Sequence, residues 1–262
     1  MQLIIDSTPF NWSKEATLAF YKNAAYLPAK IFVIGDTLCA SNSALDWQEW
    51  RTIGKHLVEA GKQVIYSSMA FHKSQISVTQ LHKIITSGKT KLEIGSNFML
   101  LMRRDNGVRT PFCTSRSLDI SNQYRSQQLL DSGAMFVPIY ASPDVLFLLR
   151  NIDKFSCNKG VEFDVLVHGD MTLEGLPECQ YNLSDAGKAP QEMDCPAGNT
   201  FAIWQQRRPS PQVFDLAEHI PTLMEAGVRY FRIKPTQHDM QEIVAKHAAQ
   251  LRAATYLQPT DQ

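Results

Sequence analysis

The chain has 262 residues, of which 44% are hydrophobic, so it can bury the core of a full domain. Its 26 lysines and arginines balance 26 aspartates and glutamates, which argues against a protein that mainly binds nucleic acid or an anionic membrane. Mean hydropathy is −0.22, and no apolar run approaches the roughly 20 residues that span a bilayer. Since no basic stretch precedes an apolar one near the N-terminus, we expect a cytoplasmic protein.

Short apolar runs alternate with helical periodicities along the chain. Ser13 is placed to cap a first helix, and apolar residues at helical spacing predict a second helix from about Asp46 to Ala60. Strands are predicted near residues 2–5, 30–34, 63–67, 91–94, 109–113, 135–138, 163–167, 200–204 and 229–233.

Glycines mark the junctions between helix and strand. A glycine supplies the positive φ that a helix end favours, and a β-rich run follows it within a few residues. The pattern recurs at Gly61, Gly88, Gly107, Gly133, Gly160 and Gly227. Such alternation requires parallel strands joined by crossover helices.

Eight or nine strand–helix units in this length predict an α/β fold, a (β/α) TIM-like barrel, with irregular or incomplete closure allowed. We expect residues 1–262 to form this one domain. A doubly wound open sheet is the alternative, although no Gly-x-Gly-x-x-Gly follows any strand. The alternation of predicted strands and helices is interrupted at about 169–199, a long irregular segment of the kind that often carries function.

Four of the five cysteines are expected at one end of this barrel. Cys39 and Cys113 lie after or at the end of predicted strands, and Cys179 and Cys195 fall in the irregular segment. The remaining one, Cys157, belongs to the opposite end. Four thiolates converging from separate loops suit zinc or an iron–sulfur cluster, although no Cys-x-x-Cys spacing occurs.

Two runs carry a resemblance to a known family. The run Val165-Leu166-Val167-His168-Gly169, with Cys179 eleven residues after the histidine, resembles the signature of the collagenase-like peptidase family U-thirty-two. The segment Ile34-Gly35-Asp36-Thr37-Leu38-Cys39 and the late Arg232-Ile233-Lys234-Pro235 are similar to its UbiV-like branch, which belongs to ubiquinone biosynthesis.

The resemblance implies a barrel holding a [4Fe–4S] cluster through four cysteines. It also implies a heterodimer with a UbiU-like sister protein and a role in O₂-independent hydroxylation of a ubiquinone precursor. Three ligands transfer directly, namely Cys39, Cys179 and Cys195. The branch has a further late cysteine that this chain lacks, so we predict Cys113 as the substitute fourth ligand, with Asp194 or a small molecule as alternatives.

Two other functions stay open. A peptidase would use His168 with Asp170 or Glu174, but no pair of nucleophile and base is legible, and no catalytic residue is assigned. A homologue without a cluster would instead act by binding a partner or an aromatic ligand. Glu162 and Asp164 alternate along one strand, so they share a face. One of them could point into the barrel mouth, and a solvated strand face is the alternative.

Overall fold

The computed structural model describes residues 1–9, 12–35, 45–67, 84, 90–116, 118, 120, 122–139, 141–155, 161–169 and 213–257. The strands are β1 (Gln2–Ile5), β2 (Ile31–Ile34), β3 (Gln63–Ser67), β4 (Leu92–Ile94), β5 (Cys113–Thr114), β6 (Val137–Pro138), β7 (Phe163–Gly169), β8 (Phe214–Asp215) and β9 (Val228–Ile233). The α-helices are α1 (Lys14–Ala24), α2 (Trp47–Glu59), α3 (Asn97–Asp105), α4 (Gln123–Asp131), α5 (Val145–Phe155), α6 (Ile220–Glu225) and α7 (Met240–Leu257).

Eight of these strands form a parallel barrel. The hydrogen-bonded order is β5-β4-β3-β2-β1-β9-β7-β6, and β8 pairs antiparallel with β7 outside this path. An isolated parallel bridge between Phe112 and Ala134 joins the two ends of the order, so the barrel is nearly closed. This confirms the predicted (β/α) TIM-like barrel over the doubly wound sheet.

The predicted helix starts follow from their capping residues. Ser13 accepts a hydrogen bond from the backbone N–H of Ala16 at 3.2 Å, as an N-cap serine should. Asp46 and Glu49 form a capping box at the start of α2. The apolar face of α2 then buries Trp50 and Leu57 against the barrel.

Glycine ends the helices where the sequence predicts it. Positive φ angles occur at four of the predicted positions, Gly61 (77°), Gly107 (64°), Gly133 (98°) and Gly227 (101°). A side chain with a Cβ is strained in this conformation, whereas glycine adopts it readily. Gly88, Gly160 and the predicted strand at 200–204 lie outside the described residues.

The buried apolar residues form two clusters. The larger one lies between the strands and the surrounding helices. The smaller one joins alternate residues of the strands and fills the inside of the barrel, where Tyr230 packs against it. We call this smaller set the interior apolar cluster: Ile4, Ile31, Val33, Ile65, Cys113 and Phe136. None of the helices in the described ranges is long and apolar enough to cross a membrane.

Candidate functional site at the carboxyl end of the barrel

Buried polar side chains gather where the strands end. Asp6, Ser7 and Thr8 follow β1, while Ser115 and Arg116 follow β5. Ser67 is the last residue of β3 and is also buried. Because parallel strands end at the same face of a barrel, these residues build a polar mouth at its carboxyl end, the face on which barrel enzymes carry their sites.

Arg232 of β9 is the centre of a buried ion network at this end. Its Nε donates to Asp164 Oδ2 at 2.9 Å, and its Nη1 donates to Asp6 Oδ1 at 3.1 Å. Nη1 also lies 2.8 Å from Glu93 Oε2. The side chain of Arg232 is 2% exposed, and those of Glu93 and Asp164 are 2% and 0% exposed. We refer to Asp6, Glu93, Asp164 and Arg232 as the interior ion network.

A second guanidinium reaches the same carboxylates. Arg116 Nη2 lies 3.4 Å from Asp164 Oδ1, with 8% of its side chain exposed. Asp164 therefore contacts one arginine through each of its oxygens. Asp164 thus points into the barrel, in keeping with the prediction that a residue of the Glu162–Asp164 pair could reach the mouth.

Two carboxyl groups of the interior ion network have pKa values that are shifted in opposite directions. Burial pushes the pKa of Asp6 upward, but the guanidiniums of Arg232 and Arg116 outweigh it and hold that pKa below the ordinary value. At Glu93 burial dominates and raises the pKa to about 7, although Arg232 opposes the shift. The three carboxylates in turn raise the pKa of Arg232, which stays charged.

Glu93 is compensated by a close ion pair with Arg232. Its Oε2 lies 2.8 Å from Arg232 Nη1, and both side chains are 2% exposed. The guanidinium therefore supplies the counter-charge that a carboxylate at this depth requires.

The predicted cluster ligands fall mostly outside this description. Cys39, Cys179 and Cys195 lie outside the described residues. Cys113 is buried at 1% exposure within the interior apolar cluster, beside Glu93 in the parallel pairing of β4 and β5. Burial, followed by the charge of Glu93, raises the pKa of its thiol. Within the described ranges no group of three or more His, Cys, Asp or Glu side chains is arranged to hold a metal ion.

His168 lies away from the interior ion network. Its ring meets that of His247 of α7 edge-on, with 5.7 Å between centroids, and His247 Nε2 lies 3.3 Å from Asp215 Oδ1. Burial and the neighbouring His247 lower the pKa of His168. His168 Nδ1 has no hydrogen-bond partner in the described part of the chain. Within the described ranges this atom therefore has no nucleophile as a hydrogen-bond partner, and Asp170 and Glu174 lie outside those ranges.

The sequence alone did not predict three of these site residues, Arg232, Glu93 and Asp6. The available signal was a charged residue inside an apolar strand, as in Leu92-Glu93-Ile94 and Phe231-Arg232-Ile233. Such a residue faces either solvent or an interior partner. The sequence does not identify the partner, because Asp6 and Arg232 lie 226 positions apart.

The fold and the site define the class of protein as a (β/α) barrel that contains a buried ion network and has buried polar residues at the carboxyl ends of its strands.

No family model matches the chain. A solved structure of an uncharacterized Clostridium thermocellum protein that binds two copies of 5-methyl-5,6,7,8-tetrahydrofolic acid is similar over 98% of this chain and 95% of that one, with 11% identity and a TM-score of 0.53. An uncharacterized B. cereus protein matches over 93% of this chain at 12% identity, with a TM-score of 0.48. This chain spans 64% of the B. cereus chain. At these identities the likeness concerns the fold alone.

Proposed function

We propose that this chain is a UbiV-like accessory protein for O₂-independent hydroxylation in ubiquinone biosynthesis. It acts in the cytoplasm, paired with a UbiU-like sister protein, and binds the aromatic precursor at the carboxyl end of its barrel. The observation that carries the proposal is the polar mouth over the interior ion network. It provides a built site at the end of the barrel from which the cysteine-bearing segments leave β2 and β7.

The cluster part of the proposal depends on Cys39, Cys179 and Cys195. Cys39 follows β2 by five residues, and the other two lie in the connection between β7 and β8, so both segments depart from strand carboxyl ends. A [4Fe–4S] cluster held there would supply one-electron transfer.

Cys113 fits the role of fourth ligand poorly. Iron binds the thiolate, whereas burial in the interior apolar cluster and the adjacent Glu93 favour the protonated thiol. This environment supports a set of three cysteines completed by a ligand other than a thiolate, such as Asp194. Cys113 stays a prediction that the following experiment decides.

The test is anaerobic purification with a visible spectrum and assays of iron and acid-labile sulfide. We expect a brown protein with about four iron atoms per chain, and loss of both colour and iron in Cys39→Ser. Cys113→Ser is the matched control: retained iron supports the three-cysteine set, and lost iron assigns the fourth ligand to Cys113. A colourless, iron-free and folded wild type contradicts the cluster and leaves a barrel that acts by binding alone.

The partner is tested separately by co-expression with a UbiU-like protein. Co-purification of the two chains at equal stoichiometry supports the heterodimer. Separate elution of both folded chains contradicts it, whatever the iron content.

Reduced folate is a second candidate ligand. The Clostridium thermocellum protein shares the fold over nearly the whole chain and binds a methyltetrahydrofolate. A pterin ring presents N–H donors, and Asp6, with 11% of its side chain exposed, is the most exposed carboxylate of the interior ion network. Saturable binding of 5-methyltetrahydrofolate in equilibrium dialysis, weakened by Asp6→Asn, supports this candidate. Absence of saturable binding removes it.

A further inference from the structure

We propose that the contact between His168 of β7 and His247 of α7 is acid-sensitive, so that uptake of a proton by His168 releases α7 from the barrel. Both histidines are buried, at 5% and 0% exposure. They share their surroundings with a lysine and an aspartate, and the contact involves neither a cluster nor a partner protein.

An irregularity in the sheet turns His168 away from the barrel interior. In a regular strand every second residue shares a face, so Asp164 and His168 would both point inward. Between Leu166 and His168, however, the pairing moves on by two residues of β7 but by only one residue of β9. Such a bulge re-aims the neighbouring side chain. The ring of His168 therefore meets His247 in the surrounding helix layer, edge-on and with 5.7 Å between centroids.

The ring of His247 is held through both of its nitrogens. Nδ1 lies 2.8 Å from the carbonyl oxygen of Ile243, which only accepts, so Nδ1 donates this hydrogen bond. Nε2 lies 3.3 Å from Asp215 Oδ1. When Nε2 also carries a proton, the ring brings a positive charge directly beside His168.

The carboxylate of Asp215 already has other partners. Its Oδ1 accepts a hydrogen bond from the backbone N–H of Ala217, and its Oδ2 accepts one from Lys246 Nζ, both at 2.9 Å. One carboxylate thus serves a lysine, a backbone amide and His247. Among the described residues, Nδ1 of His168 has no hydrogen-bond partner.

A proton on His168 is therefore a buried charge among other positive charges. The charged and titratable groups that face or adjoin the two histidines are Lys246 and Glu242 of α7, Asp215 of β8, Glu218 of the 3₁₀ turn that follows it, and Lys234 after β9. The two glutamates act on Lys246. Repulsion and burial both disfavour a second charged ring at this position.

The direction of the pH dependence follows from these contacts. Burial, followed by the charge of His247, holds the pKa of His168 below its ordinary value of 6.5. The docked helix thus binds this proton less tightly than the released helix does. The contact is fully stable above pH 6.5 and weakens as the pH falls toward the lower pKa of the docked state.

Helix α7 is the element that this repulsion can release. It is the last element that the structure describes, and it packs on the barrel through buried apolar residues such as Val244 and Ala248. It belongs to no strand ladder, so its release breaks no hydrogen bond of the sheet.

The experiment measures amide hydrogen exchange of the full chain by mass spectrometry at about pH 7.5 and about pH 5.5, on both sides of the ordinary histidine pKa. Rates are corrected for intrinsic exchange at each pH. We expect the protection of α7 to fall by up to about tenfold at the lower pH, the most that one proton gives over one pH unit. The protection of α2 should fall less. Equal protection of α7 at both pH values, or equal losses in α7 and α2, overturns the inference.

Variants assign the response to His168. His168→Gln removes the titrating ring and should give equal protection of α7 at the two pH values. His56→Gln, the same change at an exposed histidine of α2, is the matched control and should keep the acid response. Circular dichroism checks folding, and His168→Phe, which keeps a ring beside His247, replaces a glutamine variant that does not fold.

An acid response that survives in the folded His168 variant assigns the sensitivity to another group and overturns the inference. The exchange readout requires neither iron nor a partner chain. A failure here therefore leaves the proposed function untouched, and a colourless, iron-free chain leaves the acid response untouched.

Discussion

The interior side chains of this barrel fall into two halves that are stabilised in opposite ways. The apolar half is the interior apolar cluster, in which side chains from several strands fill space. The charged half is the interior ion network, in which a single arginine contacts three carboxylates. The apolar half needs only suitable volume, whereas the charged half needs each partner present, because an uncompensated buried charge is strongly unfavourable.

The largest effect is expected from removing the centre of the charged half. Arg232→Met should lower the free energy of unfolding by about 3–5 kcal/mol near neutral pH, because it leaves buried carboxylates without their counter-charge. Chemical denaturation measures this loss. The loss should shrink at acid pH as the carboxyl groups take up protons, and the exposed Arg150→Met is the control. A loss that is equal at both pH values would contradict the electrostatic explanation.

A truncation in the apolar half provides the contrast. Ile65→Ala should lower the free energy of unfolding by about 2–5 kcal/mol through lost burial and a residual cavity. Denaturation at the same two pH values should give the same loss, since no charge is involved. If the loss depends on pH as strongly as that of Arg232→Met, the two halves are not independent.

The pH dependence of Glu93 sharpens the comparison further. Its pKa is about 7 in the folded chain against an ordinary value of 4.5, so the folded state binds this proton more tightly than the unfolded state. Its favourable contribution is complete below pH 4.5 and is lost as the pH rises to about 7. Between these values the stability of Glu93→Gln relative to wild type should therefore rise by up to about 3 kcal/mol.

The stability of Glu93→Gln is compared with that of wild type because His168 also titrates in this pH range. The lowered pKa of His168 acts in the opposite direction, because the unfolded chain binds that proton more tightly and stability is lost as the pH falls. The histidine is present in both proteins, so its contribution cancels. A difference that is flat across this window would mean that Glu93 titrates normally in the folded chain.

The smallest effect is expected for an ion pair outside the barrel. Lys246 Nζ lies 2.9 Å from Asp215 Oδ2, and these side chains are 48% and 36% exposed. Lys246→Met should change the free energy of unfolding by less than about 1 kcal/mol, since solvent and salt screen exposed pairs. Thermal denaturation at low and high salt measures it. A loss as large as that of Arg232→Met would show that burial is not what distinguishes the interior ion network.

The sequence predicts the order of the strands and helices because local signals determine where each of them begins and ends. Glycines with positive φ, capping residues such as Ser13 and Asp46, and the spacing of apolar residues act over a few positions. These signals were sufficient for the order of strands and helices and hence for the barrel. The two-residue β8, which pairs antiparallel with β7, carries no comparable signal and was not predicted.

The candidate site depends on contacts that local signals do not contain. Arg232 meets carboxylates from β1, β4 and β7, which approach one another only when the sheet closes. Predicted strand ends and the family resemblance pointed instead to Cys39, Cys113, Cys179 and Cys195. Of these, Cys113 proved to be a core residue of the interior apolar cluster, and the other three lie outside the described residues.

The closure of the barrel between β5 and β6 has a dynamic consequence. β1 and β9 pair over four residues, whereas here the backbone contacts are Phe112 N–H to Gly133 O at 3.1 Å and Met135 N–H to Phe112 O at 2.8 Å. A joint with so few amide bonds can part without disturbing the rest of the ladder. In deuterated solvent the amides of Phe112 and Met135 should exchange earlier than those of β1 and β9, so that the barrel opens by a seam rather than by melting throughout.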